Sequence, residues 1–406
     1  MNATTPRHLN LLAAAIGAVL VFGGVSQVHA QTAQDRAQER RERQAQRNSD
    51  SQAASNVDYP QASRQEPRTK ASSRMSSKLQ KMMDRYDDDE SAEAIAIAEE
   101  IMANEKANEY DKSFAAQIAA QSAYDSDDTA AAMRYLEKAI EYNGLDNNGH
   151  YGAMLMLGQL ELQEEQYDKA LATIDRFFAE TSSSKPEHLV IKGNALYRME
   201  RYPEAATVLK QAIDSSDEPR NDWQQLLMAT YFETGQSAEA AALAESVAAK
   251  NPGDKRAQLN LAATYQQGEN FAKAAEVLEK LRASGQLTDD REYRQLYSTY
   301  LNMDGKEREA ANVIKEGLDK GILQNDFQNN LALAQSYYFS EQIEPAIEAY
   351  RKAAPMDEDG ETYLNLAKVL WQEDRISEAK EAARQALAKG VKRPEEAKQI
   401  TALPGG

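Results

Sequence analysis

The chain has 406 residues with no cysteine, 42% hydrophobic and only 7% aromatic residues, and a formal net charge of −18. The lack of thiols excludes disulfides, thiolate nucleophiles and cysteine-ligated zinc. A body this acidic lacks the clustered cations that grip a phosphate backbone, so nucleic acid is not an expected partner. Basic polypeptide segments are favoured electrostatically, although the same charge also serves solubility on its own.

Near the N-terminus Arg7 precedes a run from 9 to 28 with no charged residue, and Val28-His29-Ala30 sets small residues three and one before Gln31. This predicts a secretory signal peptide over 1–30 and a periplasmic destination, with an uncleaved inner-membrane anchor as the alternative. Once the signal is cleaved, no stable membrane insertion is expected. Residues 31–75 are rich in Gln, Arg and Ser, contain Pro60 and Pro67 and offer few apolar side chains, which predicts a disordered basic leader. The stretch 33–47 has helix-forming residues and either folds on a partner or acts as a plain tether. Between 31 and 78 there are ten Lys/Arg against six Asp/Glu, so the acidity is concentrated further on.

Beyond 76 the chain repeats itself. A small residue near the start of each expected second helix recurs as Ala94, Ala132, Ala170, Ala205, Ala240, Ala274, Ala310, Ala346 and Ala379. Another small residue stands twelve earlier in most copies: Ala120, Gly158, Gly193, Ala262, Ala334 and Ala367. Met228 replaces it in the fifth copy, and the seventh carries an extra residue near Tyr297 and Ser298. Small residues at helical spacing let two backbones approach closely. Nine helix-turn-helix units over 76–390 follow, each too small to bury its apolar face alone and therefore stacked on its neighbours. A tail over 391–406 contains a short helix over 395–402 that covers the last unit.

The period and its registered small residues resemble the tetratricopeptide repeat family. The resemblance implies an all-α solenoid of about nine repeats wound as a right-handed superhelix, with a groove lined by first helices. In that family the second, fifth, ninth and twelfth residues of the first helix face the groove. Carried over, these are Leu155, Gln159 and Leu162, then Val190, Asn194 and Tyr197, then Gln225 and Phe232. Arg256, Leu259 and Gln266 follow, then Leu331, Gln335 and Tyr338, and last Leu364, Lys368 and Trp371. Asn and Gln can bond an extended backbone and aromatics supply contact area, while packing between repeats is the alternative use of those rings. The carboxylate clamp of chaperone-binding relatives needs paired Lys and Asn, which Val190, Leu226 and Arg256 do not supply.

A narrower resemblance is to periplasmic tetratricopeptide proteins that accompany TonB, ExbB and ExbD energy-transduction systems. It rests on Glu218-Pro219-Arg220-Asn221-Asp222-Trp223 leading into Gln224-Gln225-Leu226-Leu227, on Tyr293-Arg294-Gln295-Leu296-Tyr297, and on Gly390-Val391-Lys392-Arg393-Pro394. It implies support of outer-membrane uptake through contact with an envelope protein. A chaperone-like assembly factor for outer-membrane or cell-wall proteins is the alternative.

No enzyme chemistry is expected. The acidic runs Asp87-Asp88-Asp89-Glu90 and Asp357-Glu358-Asp359-Gly360 lack the bidentate Glu that closes a calcium loop, and read better as helix-capping turns. His150 and His188 have no second ligand pattern for a metal, and no phosphate loop, serine elbow or spaced carboxylate pair is present. No cofactor is expected.

Overall fold

The computed structural model describes residues 58–405 and divides into two units, 1–60 and 61–406. The expected signal segment and the leader as far as 57 lie outside the described residues, and 58–60 are the described part of the first unit. Within the second unit, the described residues form nineteen α-helices and a single 3-10 turn, with no strand.

Eighteen of these helices pair along the chain. The first pair is α1 (Ser76–Asp87) with α2 (Ser91–Met102), followed by α3 (Glu109–Asp125) with α4 (Thr129–Tyr142) and α5 (Asn147–Gln163) with α6 (Tyr167–Thr181). Next come α7 (Pro186–Arg198) with α8 (Tyr202–Asp214), α9 (Asn221–Glu233) with α10 (Ser237–Lys250) and α11 (Lys255–Gln267) with α12 (Phe271–Ala283). The last three are α13 (Asp290–Leu301) with α14 (Glu307–Asp319), α15 (Phe327–Phe339) with α16 (Ile343–Ala353), and α17 (Glu361–Gln372) with α18 (Ile376–Ala388). A final helix, α19 (Pro394–Thr401), packs on α17 and α18.

Every second helix starts three residues before its marker alanine, and all nine marker alanines are fully buried. With no side chain beyond Cβ, they let the paired helix lie against them. Larger residues fill the rest of the core: Leu209, Leu278 and Leu296 have no exposed surface. The core is thus strung along the array, each layer sharing side chains with the next, as expected for pairs that cannot bury a face alone.

The turn inside each pair has a fixed form. The residue five before each marker is left-handed: Asp89, Asp127, Glu165, Glu200, Gly235, Glu269, Gly305, Glu341 and Asp374, with φ from 57 to 74°. In eight of the pairs the next N–H reaches back to the carbonyl five residues earlier, as Arg201 to Leu196 (2.9 Å), Gln236 to Tyr231 (2.7 Å) and Gln342 to Tyr337 (2.8 Å). This bond satisfies carbonyls the helix end would leave bare. The seventh pair departs, because its turn over 302–306 holds five residues where the others hold three. The extra length was expected inside the helix near Tyr297. It sits in the turn instead, since a helix absorbs an insertion only by breaking its hydrogen-bond ladder, whereas a surface turn lengthens at little cost.

The stretch 61–75, expected as the end of a disordered leader, is laid against the second and third pairs. Ser63 N–H donates to the Glu180 carbonyl at 2.8 Å. The Arg64 guanidinium donates to Asn143 Oδ1 and Asn147 Oδ1, both at 2.7 Å, and to the Asn143 and Leu145 carbonyls. Further on, Ser72 N–H donates to Asp111 Oδ1 at 3.0 Å, and Asn108 Nδ2 donates to the Lys70 carbonyl at 3.0 Å. The composition of this segment is that of an unfolded chain. Polar contacts from single residues, with Met75 as its buried apolar anchor, hold it down.

The third and fourth pairs share a cluster of rings. Phe177 meets Tyr151, Phe178 and His188 edge-on at centroid distances of 6.0, 5.4 and 4.9 Å, and His150 meets Tyr151 at 5.4 Å. Both central histidines are therefore core residues, and His188 Nδ1 is bonded to Ser183 Oγ at 2.8 Å. His150 is 1% exposed and neither ring nitrogen has a hydrogen-bond partner. Burial, reinforced by the nearby Arg64 cation, lowers its pKa to about 4. Below the ordinary value of about 6.5 the unfolded chain takes a proton that the folded chain refuses, so stability falls as pH drops from there toward 4, by up to ~3 kcal/mol. Urea denaturation at neutral and mildly acidic pH should show wild type losing more stability than His150→Gln. Equal losses would mean that this imidazole is not what titrates.

Candidate partner-binding face

Neighbouring first helices come into contact along the array, as α1 with α3, α5 with α7, and α7 with α9, while no two second helices approach comparably. The first helices therefore present one shared face. Residues fifteen, eleven and eight before each marker alanine fall on it, since these offsets are four and three apart and lie one above another on a helix.

Apart from Arg256, which stands one turn earlier at eighteen before Ala274, the sequence-predicted residues follow this register. Gln159 on α5 and Gln225 on α9 are exposed; Asn194 and Tyr197 on α7, Phe232 on α9, and Gln335 and Tyr338 on α15 are half-buried. Arg256 is exposed in the first turn of α11, where Asp254 caps the backbone. Trp371 at the end of α17 is 46% exposed. Several have structural partners as well. The Tyr197 ring meets Tyr202 at 5.4 Å, and the Tyr338 hydroxyl donates to Gln372 Oε1 at 3.1 Å. Gln266 bridges two first helices, donating to Thr299 Oγ1 at 2.7 Å and accepting from Gln295 Nε2 at 2.9 Å.

Two of the carried-over residues are not presented as expected. Leu364 has no exposed surface, because the 3-10 turn and α19 close around α17. Lys368 is half-buried and its ammonium is paired with Glu396 of α19. The capping helix takes over the part of the last first helix that earlier repeats leave open.

The structure also adds residues to the face. Tyr124, 43% exposed, stands eight before Ala132 as Tyr197 does before Ala205, so register alone marks it. Leu301, 37% exposed, ends α13 in the same place, but the long seventh turn hides this from a count back from Ala310.

The face carries no convergent acid–base group. Asp357 Oδ2 accepts from Thr362 N–H at 2.7 Å, so this acidic run caps α17. A cleft of about 450 Å³ lies elsewhere, between α10, α11 and α12, lined by Ala238, Ala241, Ala242, Glu245, Tyr265 and Lys273. Hydrogen bonds from Tyr265 and from Lys273, the latter at 3.0 Å, hold the Glu245 carboxyl below its usual pKa, so it stays an anion and is a poor proton donor. Among the described residues no group of His, Cys, Asp and Glu could hold a metal ion, and no helix is long and apolar enough to cross a membrane.

Comparison with known families gives three matches, a tetratricopeptide repeat-like domain over residues 61–231 and tetratricopeptide repeats over 231–299 and 360–388. No curated protein matches the chain. Among solved structures, it is similar to a tetratricopeptide repeat protein from Parabacteroides merdae, at 15% identity over 63% of this chain and 96% of that one, with a TM-score of 0.41. It is also similar to the C-terminal part of a tetratricopeptide repeat-containing protein from Cytophaga hutchinsonii, at 13% identity over 69% and 95%, with a TM-score of 0.43. A third is the MamA protein, at 19% identity over 42% and 94%, with a TM-score of 0.35.

Proposed function

Because the chain carries tetratricopeptide repeats, we propose that it is a non-catalytic scaffold whose first-helix face binds another protein. The observation that carries this reading is the row of large side chains, Tyr124, Tyr197, Phe232, Leu301, Tyr338 and Trp371, left exposed or half-exposed at one position of six of the nine first helices. Rigid aromatics in a row offer contact area at low entropic cost, which is what a binding surface needs and a solubility surface does not.

The uncharged run at 9–28 with its Val28-His29-Ala30 end supports a periplasmic setting, and with it an envelope protein as partner. A component of a TonB-type energy-transduction system is the partner class implied by the sequence resemblance. The test is a pull-down from envelope extracts with the full chain and with Tyr197→Ala/Tyr338→Ala, folding being checked by circular dichroism. The reading expects one saturable partner, bound at least about tenfold more weakly by the double variant. Equal recovery by both proteins would remove the face from the mechanism. Comparable binding to many unfolded outer-membrane proteins would favour the chaperone-like alternative.

A further inference from the structure

Four of the five large hydrophobic side chains that stand exposed among the described residues, Tyr124, Leu301, Phe339 and Trp371, sit in the last turn of a first helix. Beside that row runs a second one, the left-handed residues of the turns, which are acids in seven of nine pairs. Left-handed backbone suits glycine and is unfavourable for glutamate, so local conformation does not account for Glu165, Glu200, Glu269 and Glu341.

The charge balance along this margin is one-sided. In the four residues before each second helix, the nine turns hold sixteen Asp/Glu and four Lys/Arg. Three of those cations, Arg201, Lys306 and Arg375, are already paired with Glu204, Glu309 and Glu378 of the following helix. Among the described residues, the side chains of Asp127, Glu165, Glu200, Glu269, Glu341 and Asp374 form no ion pair. They occur one per pair and converge on no metal site, so they make a series and not a pocket. The rest of the face is mostly uncharged, with Leu155, Gln159, Val190, Asn194, Leu331 and Gln335 at its inner positions.

We propose that the occupant of this face is an extended polypeptide segment in which basic residues alternate with apolar ones. Its apolar side chains lie on the row of last-turn aromatics, and its cations face the left-handed acids at the adjoining margin. Complementary charge fixes which segment binds and its register, while the aromatics supply contact energy. The inference rests on the scaffold reading and adds the chemistry of the partner.

The probe is a fluorescein-labelled peptide of repeated Lys-Pro-Leu triplets, with a Glu-for-Lys peptide as its counterpart, read by fluorescence anisotropy with the full chain. The lysine peptide should bind at least about tenfold more tightly than the glutamate peptide and weaken as salt rises. The variant Glu165→Gln/Glu200→Gln/Glu269→Gln/Glu341→Gln should bind it about tenfold more weakly, as should Tyr124→Ala/Trp371→Ala. Neutralising Glu137, Glu141, Asp217 and Glu276, which lie away from this margin, should leave the affinity unchanged. Equal binding of the two peptides, or wild-type affinity in the four-glutamine variant, would overturn the proposal. If Tyr197→Ala/Tyr338→Ala loses an envelope partner that the four-glutamine variant keeps at full strength, the scaffold stands and the cationic occupant falls.

Discussion

Replacing Phe177 with alanine is expected to destabilise the array by about 3–5 kcal/mol, in the range for deleting a fully buried aromatic ring. Phe177 has no exposed surface and its ring is the common neighbour of Tyr151 on α5, Phe178 on α6 and His188 on α7. It therefore joins the third pair to the fourth. Edge-on ring contacts add to the loss of buried area, and none of the neighbouring rings can move into the space without abandoning its own contacts. Urea denaturation followed by circular dichroism would report the effect. A change below about 1 kcal/mol would mean that the neighbouring layers hold together without this ring.

A second large effect is expected at the contact between Gly193 and Leu209, and there the sign is informative. A Cβ added at Gly193 would lie 2.5 Å from both Cγ and Cδ2 of Leu209, which is itself fully buried. Gly193→Ala should therefore cost about 1–3 kcal/mol by overpacking, although alanine is the better helix former by up to about 1 kcal/mol. Leu209→Ala should cost about 2–5 kcal/mol. In the Leu209→Ala background the obstruction is gone, so Gly193→Ala should become stabilising. Gly152, with nothing within 4 Å of an added Cβ, should gain stability from the same substitution in wild type and serves as the control. If Gly193→Ala stabilises the unaltered protein, α7 and α8 do not approach as closely as described.

Much of this architecture was legible from spacing. All nine marker alanines are buried and each stands at the same distance from the start of its helix, because a close helix–helix crossing admits little besides a small residue. The short closing helix, expected over 395–402, is present as Pro394–Thr401. What could not be read followed from contacts between distant residues. Arg64 belongs by composition to an unfolded leader, and only Asn143, Leu145 and Asn147, some 80 positions away, explain its order. The same holds for the face shared by the first helices. The carried-over register places Tyr197, Tyr338 and Trp371 on it, but Leu364 and Lys368 are claimed by α19, which repeat periodicity does not represent. The left-handed acids went unrecognised because glutamate carries no propensity for that conformation.

Arrays held by nearest-neighbour contacts fray from their termini. Here the two termini of the array are unequal. A polar clasp running backward from Glu180 through Asn147 to Asp111 ties the second and third layers together, whereas the last layer is sealed by eight residues of α19. Opening should then start at the C-terminal layers and travel toward the clasp, giving the molecule a direction of unravelling that repetition of one helix pair would not by itself impose.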